Sequence, residues 1–348
     1  MKCLVLGGCG YIGSWMVPFL LADGHKVTVV DLQWFGDGFL PRSGDNDNLR
    51  VVKADIRDLP KMRELLAGVD AVIHLAGVSN DHSCQLDEAL STSINYEAFE
   101  PLVIASKAAG VQRFIFASSS SVYGASDSMD VREDHPVNGL TLYAKYKAAC
   151  EPILFRHQTP EFVCTILRPA TVCGYAPRMR FDLTANIMTA HAVQKGEITV
   201  FGGEQRRAHL HMKDMTDCYR VLLKAHPEKI AGQIFNVGCQ NFKVSEIAEI
   251  VADEVCAAKE GLRPRPAIKT MPSTDNRSYS VNSDKIMDAL GFVPRFTIAD
   301  AVRDLCVKFA IGMFKDALTN PRFTNIKQLV DQGFAVQDSL ASFRQARY

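Results

Sequence analysis

Short runs of apolar residues recur along the chain at helix-length intervals, at 3–6, 27–30, 49–53, 71–75, 113–117, 162–167 and 234–237. Runs that are apolar throughout, rather than alternating, are the strands of a parallel sheet covered on both faces. In the spacer 98–109 the small and apolar positions Ala98, Leu102, Ala105 and Ala109 form a helical stripe, and Gly110 follows as a stop. The pattern predicts an α/β fold with a doubly wound parallel sheet, whose ligands bind outside the carboxyl ends of the strands. The loops after Leu6, Val30, Leu75 and Ala117 are therefore where chemistry is expected.

Beyond about Gly174 the rhythm loosens, through a Pro- and Arg-bearing stretch at 175–180, a helical pattern at 183–194 and three prolines within 263–272. A chain of 348 residues is long for one compact unit. We expect a sheet domain over 1–174, completed by parts of 206–240, and a smaller lobe mainly over 175–348. Charge narrows the field further. With 39 basic and 39 acidic side chains the net charge is zero, which leaves no electrostatic footprint for nucleic acid. The ten cysteines are scattered without a C-x-x-C pair, as suits reduced thiols in the cytoplasm. Residues 3–22 are uncharged, but Gly7, Gly8, Gly10 and Gly13 interrupt them where a membrane anchor would be continuous.

Those glycines read better as a loop between strand and helix, Gly7-Gly8-Cys9-Gly10-Tyr11-Ile12-Gly13. Gly7, Gly10 and Gly13 meet the needs of a tight turn, of backbone approach to a pyrophosphate and of close helix-to-strand packing. The second strand leads into Asp31, eighteen residues beyond Gly13, where a carboxylate accepts the hydroxyls of an adenosine ribose. Leu32 and Gln33 follow with no arginine to meet a 2′-phosphate, which favours NAD over NADP. Asp55-Ile56 and Leu75-Ala76-Gly77 close the next two strands with residues that suit the same cofactor, while His74 reads as a packed strand histidine.

The fifth strand runs into Ser118-Ser119-Ser120-Ser121-Val122-Tyr123-Gly124, and Tyr143 and Lys147 follow, four residues apart and so on one helical face. A tyrosine titrates near ~10, so its use as a base at neutral pH needs a nearby cation, which the ammonium and an oxidised nicotinamide would supply. Tyr146 lies off that azimuth. A serine at the strand end can relay the proton.

In this order Gly7, Gly10 and Gly13, Asp31, Asp55-Ile56, the segment 74–77, Asn95, the serine loop, Tyr143-x-x-x-Lys147 and Leu167-Arg168-Pro169 resemble the extended short-chain dehydrogenase/reductases. More narrowly the chain resembles their NAD-dependent epimerase/dehydratase branch, which acts on nucleotide sugars. The resemblance implies an NAD-binding Rossmann domain and a substrate-binding lobe. It makes Ser119, Tyr143 and Lys147 the catalytic residues, and adds Tyr11, Ile12, Asn95, Tyr143 and Lys147 to the NAD contacts. Ser119, Ser120, Asn186, Arg207 and Arg277 become substrate contacts, with Arg207 placed just before a strand at 208–212. Arg178 and Arg180 read more readily as surface residues. His209 and His211 lack a third ligand at useful spacing, so no metal is assigned. The resemblance also implies a homodimer through the helices at 98–109 and 143–155.

The branch opens by oxidising a sugar hydroxyl, usually at the 4-position. Its 4,6-dehydratases follow the catalytic residue with an Asp-Glu pair, where this chain has Ser120 and Ser121. The expected reaction is accordingly 4-epimerisation through a transient ketone. Net 4-oxidation or 4-ketoreduction stands as the alternative, with 4,6-dehydration after it and a non-catalytic NAD-binding regulator as the reading of another class. The sugar and nucleotide are left open, as are residues 337–348, which fit either a helix or a loose tail.

Overall fold

A computed structural model describes residues 1–41, 44–258, 264–275 and 277–333; residues 337–348 lie outside them. The strands are β1 (Lys2–Leu6), β2 (Lys26–Asp31), β3 (Leu49–Lys53), β4 (Ala71–His74), β5 (Arg113–Ala117), β6 (Val163–Pro169), β7 (Thr171–Cys173), β8 (Glu197–Phe201), β9 (Arg206–His211), β10 (Gln233–Val237), β11 (Gln240–Lys243) and β12 (Ala267–Met271). Seven of them form one sheet in the order β10-β6-β5-β4-β1-β2-β3, with every pairing parallel. This is the doubly wound arrangement that the apolar runs predict.

Both faces are covered, and β1 shows how. Cys3 and Val5 join the core beneath helices Tyr11–Ala22 and Met212–Lys224, with Met16, Leu20, Met215 and Tyr219. Leu4 and Leu6 join the opposite core with Met62, Leu102, Phe114 and Leu154, beneath helices Leu59–Leu66, Phe99–Ala108 and Leu142–Arg156. A strand with both faces buried must be apolar at every position, hence its unbroken run. Helix Phe99–Ala108 is entered through a π-helical turn, Ser93–Glu97, and Gly110 ends the segment at φ +79° with its N–H on the Lys107 carbonyl.

A third core gathers helices Thr184–Lys195, Val244–Ala258 and Ile298–Ala310 around Ile198 and Val200 of β8. Beside it β8 pairs with β12, and β9 pairs with both β7 and β11. Because β9 starts at Arg206, Arg207 lies within the strand rather than ahead of it. The uncharged run 3–22 is strand, loop and helix, and no helix among the described residues is long and apolar enough to cross a membrane.

The winding reverses between β1 and β4. Leu6 pairs with Val30 on one side and with His74 on the other, so these strands end level. The loops that leave them share one cleft.

Candidate active site

Gly7 leaves β1 at φ +79°, and a Cβ there would lie 2.6 Å from the Ala76 nitrogen. The Gly7 N–H bonds the Val30 carbonyl at 2.8 Å, and the Leu75 N–H bonds the Leu6 carbonyl at 2.9 Å. Only glycine lets the three strand ends come this close. Gly10 caps helix Tyr11–Ala22 without a side-chain bond, so the first N–H groups of the helix remain for an anion. A Cβ at Gly13 would collide with the Gly8 backbone. The cradle thus fits a dinucleotide diphosphate. At the end of β2, Asp31 accepts the Cys9 N–H at 3.0 Å and the Gln33 N–H at 2.7 Å. Each bond engages a different carboxylate oxygen, which leaves lone pairs for ribose hydroxyls. Burial pushes the pKa of Asp31 up against those two bonds.

At the next strand ends, Ser119 caps the short 3₁₀ turn Ser120–Tyr123, accepting the Ser121 N–H at 3.1 Å and lying 2.8 Å from the Ser121 hydroxyl. Thr141 caps helix Leu142–Arg156 through the Ala144 N–H at 3.3 Å. On that helix Tyr143 lines the same cleft as Ser119. Lys147 donates to the Ala117 carbonyl at 2.7 Å and sits 4.8 Å from the Phe116 ring centre and 5.7 Å from that of Tyr143.

The helix is pinned from behind. Arg168 on β6 grips Glu151 through Nε and Nη2, at 3.0 and 2.6 Å, and Ser118 donates to the same carboxylate at 2.6 Å. Arg168 also donates to the Tyr123 hydroxyl, which bonds Asn236. This network ties the serine loop, β6 and the Tyr143 helix into one rigid unit. Tyr146 is turned away, its hydroxyl 2.6 Å from that of Thr92. His74 is enclosed by Phe99, Phe114 and Phe116, and burial brings its pKa down to about 3.

The electrostatics depart from what the Tyr–Lys spacing alone predicts. Burial raises the Tyr143 pKa above its ordinary value, with Cys84 and Asp81 adding to the rise and Arg180 and Ser119 opposing it. Burial also lowers Lys147, to about 8. Desolvation therefore dominates the phenol, and the positive charge that opposes it is Arg180.

A single cleft of about 490 Å³ collects Gly7, Gly10, Tyr11, Ile12, Gly13, Asp31, Ile56, Leu75, Ala76, Gly77, Ser119, Ser120, Tyr143, Lys147, Arg207 and Arg277. Three expected ligand contacts lie outside its walls. Asp55 is held by the Arg57 guanidinium. Asn95 spends both ends of its amide on the Val78 backbone, at 2.8 and 2.9 Å, and so sets the loop after β4. Asn186 is fully buried, with its amide used by the Gly174 N–H, the Tyr11 hydroxyl and the Arg180 carbonyl.

Four charged residues that the sequence does not single out, or assigns to the surface, stand in the wall: Asp81, Arg178, Arg180 and Asp182. Arg180 pairs with Asp182 at 2.9 Å. Arg277 bonds Asp81 and Asp275, and Arg207 bonds Asp275 at 2.7 Å. Burial alone would raise Asp275, but the two arginines outweigh it and hold its pKa at about 2. The alternation of arginine with apolar residues at 177–182 was the available signal for a buried segment there.

The profile of the NAD dependent epimerase/dehydratase family matches residues 3–238. Among curated proteins, the UDP-glucose 4-epimerase of Mycolicibacterium smegmatis is 30% identical over 312 residues, 87% of this chain and 96% of its own. A dTDP-glucose 4,6-dehydratase of Streptomyces niveus is 28% identical over 313 residues, 87% of this chain and 90% of its own. Among solved structures, MoeE5 in complex with UDP-glucuronic acid and NAD superposes with a TM-score of 0.75 at 26% identity, covering 89% of this chain and all of that one.

Proposed function

Because the chain belongs to the NAD-dependent epimerase/dehydratase family, we propose that it is an NAD-dependent enzyme that modifies a nucleotide sugar by 4-epimerisation through a transient 4-keto sugar. The observation that carries this reading is the serine loop beside the phenol: Ser119 and Tyr143 line one cleft, and the two residues after Ser119 are serines rather than carboxylates.

Bound NAD supplies the hydride acceptor and, when oxidised, a positive charge beside the phenol. Tyr143 takes the proton of the sugar 4-hydroxyl, with Ser119 bonded to the same oxygen to relay it. Lys147, held on the Ala117 carbonyl, stabilises the phenolate and reaches the nicotinamide ribose. The positive charges of the lysine and the ring lower the phenol from the elevated value set by burial. Arg207 and Arg277 grip the nucleotide diphosphate, for which a planar guanidinium is well shaped. Asp275 and Asp81 hold those arginines until the diphosphate arrives.

One observation favours a second reading, 4,6-dehydration: Asp81 lines the cleft and has a buried Oδ1 without a hydrogen-bond partner, so a carboxylate is present after all. The test is to incubate the protein with a panel of nucleotide sugars, following reduced-nicotinamide absorbance, product mass and product NMR. An isomer of unchanged mass with no net NADH supports epimerisation. NADH accumulation with loss of two hydrogens overturns it in favour of a dehydrogenase, and loss of water in favour of a dehydratase. Bound NAD with no turnover of any sugar would indicate a regulator.

We further propose a homodimer through helices Phe99–Ala108 and Leu142–Arg156, on which Ile104 is half exposed. None of the ten cysteines is joined in a disulfide, which supports placement in the reducing cytoplasm.

A further inference from the structure

Four arginines line the cleft, and three of them have carboxylate partners: Arg180 with Asp182, Arg207 with Asp275, and Arg277 with Asp275 and Asp81. Arg178 has none. It is 1% exposed and forms no ion pair with any described residue. Its Nη2 donates to the Asn325 Oδ1, its Cζ lies 4.0 Å from the centre of the Phe35 ring, and its Nε has no hydrogen-bond partner. Burying a guanidinium without a counter-charge is costly. Burial holds its pKa down to about 9, with nearby Arg180 adding to the depression and the carboxylates of Asp182 and Asp31, both beyond ion-pair distance, opposing it only in part. A residue so placed needs an anion from elsewhere.

Its surroundings identify where the anion lies. The Arg178 backbone N–H bonds the Ser14 hydroxyl at 3.1 Å, on the helix that follows the glycine loop. Phe35 belongs to the loop after β2. Asn325 bonds Ser79 at 2.8 Å, in the loop after β4. Arg178 thus touches the helix that follows the glycine loop and the loop after β2 directly, and the loop after β4 through Asn325, and it shares the cleft with Gly10, which leaves that helix N-terminus uncapped. The glycine loop offers an anion partial charges but no formal cation.

We propose that Arg178 is the counter-ion of the dinucleotide diphosphate, closing over it with Phe35 and Asn325. The diphosphate carries the negative charge that the arginine lacks, and the arginine supplies the cation that the glycine loop lacks. This inference rests on NAD binding alone and not on the identity of the sugar or its reaction.

The test compares wild type with Arg178→Met and Arg178→Lys by thermal melting, with and without NAD, and by titration with NAD, ADP-ribose and adenosine. The cofactor-free Met variant should melt no lower than wild type, because an uncompensated buried charge has been removed, while the stabilisation by NAD shrinks. Its affinity for NAD and ADP-ribose should fall roughly 10- to 100-fold, the scale of a lost charge-assisted bond, whereas adenosine, which has no phosphate, should bind nearly as before. Arg178→Lys should recover much of the loss. Equal losses for ADP-ribose and adenosine would overturn the proposal, as would unchanged NAD affinity in a destabilised variant, since both describe a structural strut. If Arg178→Met does not fold, Arg178→Gln, which keeps a donor for Asn325, carries the same comparison.

Discussion

At the proposed cofactor end of the cleft much of the wall is backbone: Gly7 pressed against Ala76, an uncapped helix N-terminus after Gly10, and Asp31 held by two N–H groups. At the proposed substrate end the wall is charged side chains already committed to each other, Arg277 to Asp81 and Asp275, and Arg207 to Asp275. The first kind of site is finished before its ligand arrives. The second must exchange one set of ion pairs for another on binding. Rigid donors lose little entropy when a ligand docks, whereas long charged side chains settle affinity by competition. One end therefore suits a cofactor common to a whole family, and the other a substrate that differs among its members.

The largest effect should come from filling the backbone cradle. In Gly7→Val a Cβ at φ +79°, 2.6 Å from the Ala76 nitrogen, would force β1 and the loop after β4 apart. We expect NAD binding to be lost in calorimetric titration, and wild-type affinity would break the contrast between the two ends. Tyr143→Phe tests the junction of the halves. Hydride transfer should fall on the order of 10²- to 10⁴-fold, as for a positioned proton-transfer group, with NAD still bound. Near-normal turnover by reduced-nicotinamide absorbance would remove Tyr143 from the chemistry.

The same contrast explains what could be read without coordinates. The glycine loop, Asp31 and the Tyr143–Lys147 pair answer to local geometry, a fixed turn or four residues along one helix, and short-range spacing records local geometry. Asn186 does not. Its amide is consumed by the Tyr11 hydroxyl and the Gly174 N–H, partners that only the tertiary fold supplies. Arg178 is buried by Ser14, Phe35 and Asn325, none of which is near it in sequence. The Tyr143 pKa shows the limit most sharply. The helical spacing correctly brings an ammonium beside the ring, but the depth of burial that raises the phenol is a property of the whole core.

A smaller effect is expected at the substrate end. Arg277→Gln should raise KM for the nucleotide sugar roughly tenfold or more, on the scale of one charge-assisted hydrogen bond, with kcat little changed and NAD affinity untouched. A matching loss of NAD affinity would show that the two ends are not separable.

The smallest effect, and the most diagnostic, belongs to Asp275→Asn. Removing the carboxylate frees Arg207 and leaves Arg277 with Asp81 alone, so KM for the nucleotide sugar should fall, by roughly two- to fivefold for a partly exposed ion pair. Stability should move the other way, with a defined pH dependence. Asp275 titrates at about 2 in the folded protein and near ~3.9 when unfolded. Its depressed folded pKa contributes stability that is fully present above the unfolded value and is lost as pH falls through the folded one. Wild type should accordingly be the more stable protein at neutral pH, and the gap to Asp275→Asn should close between roughly pH 4 and pH 2. A gap that persists at the acid end would mean that Asp275 acts through shape rather than charge. A KM that rises at neutral pH would mean that the carboxylate positions the arginines for the diphosphate instead of competing with it, and the substrate end would then be as preformed as the cofactor end.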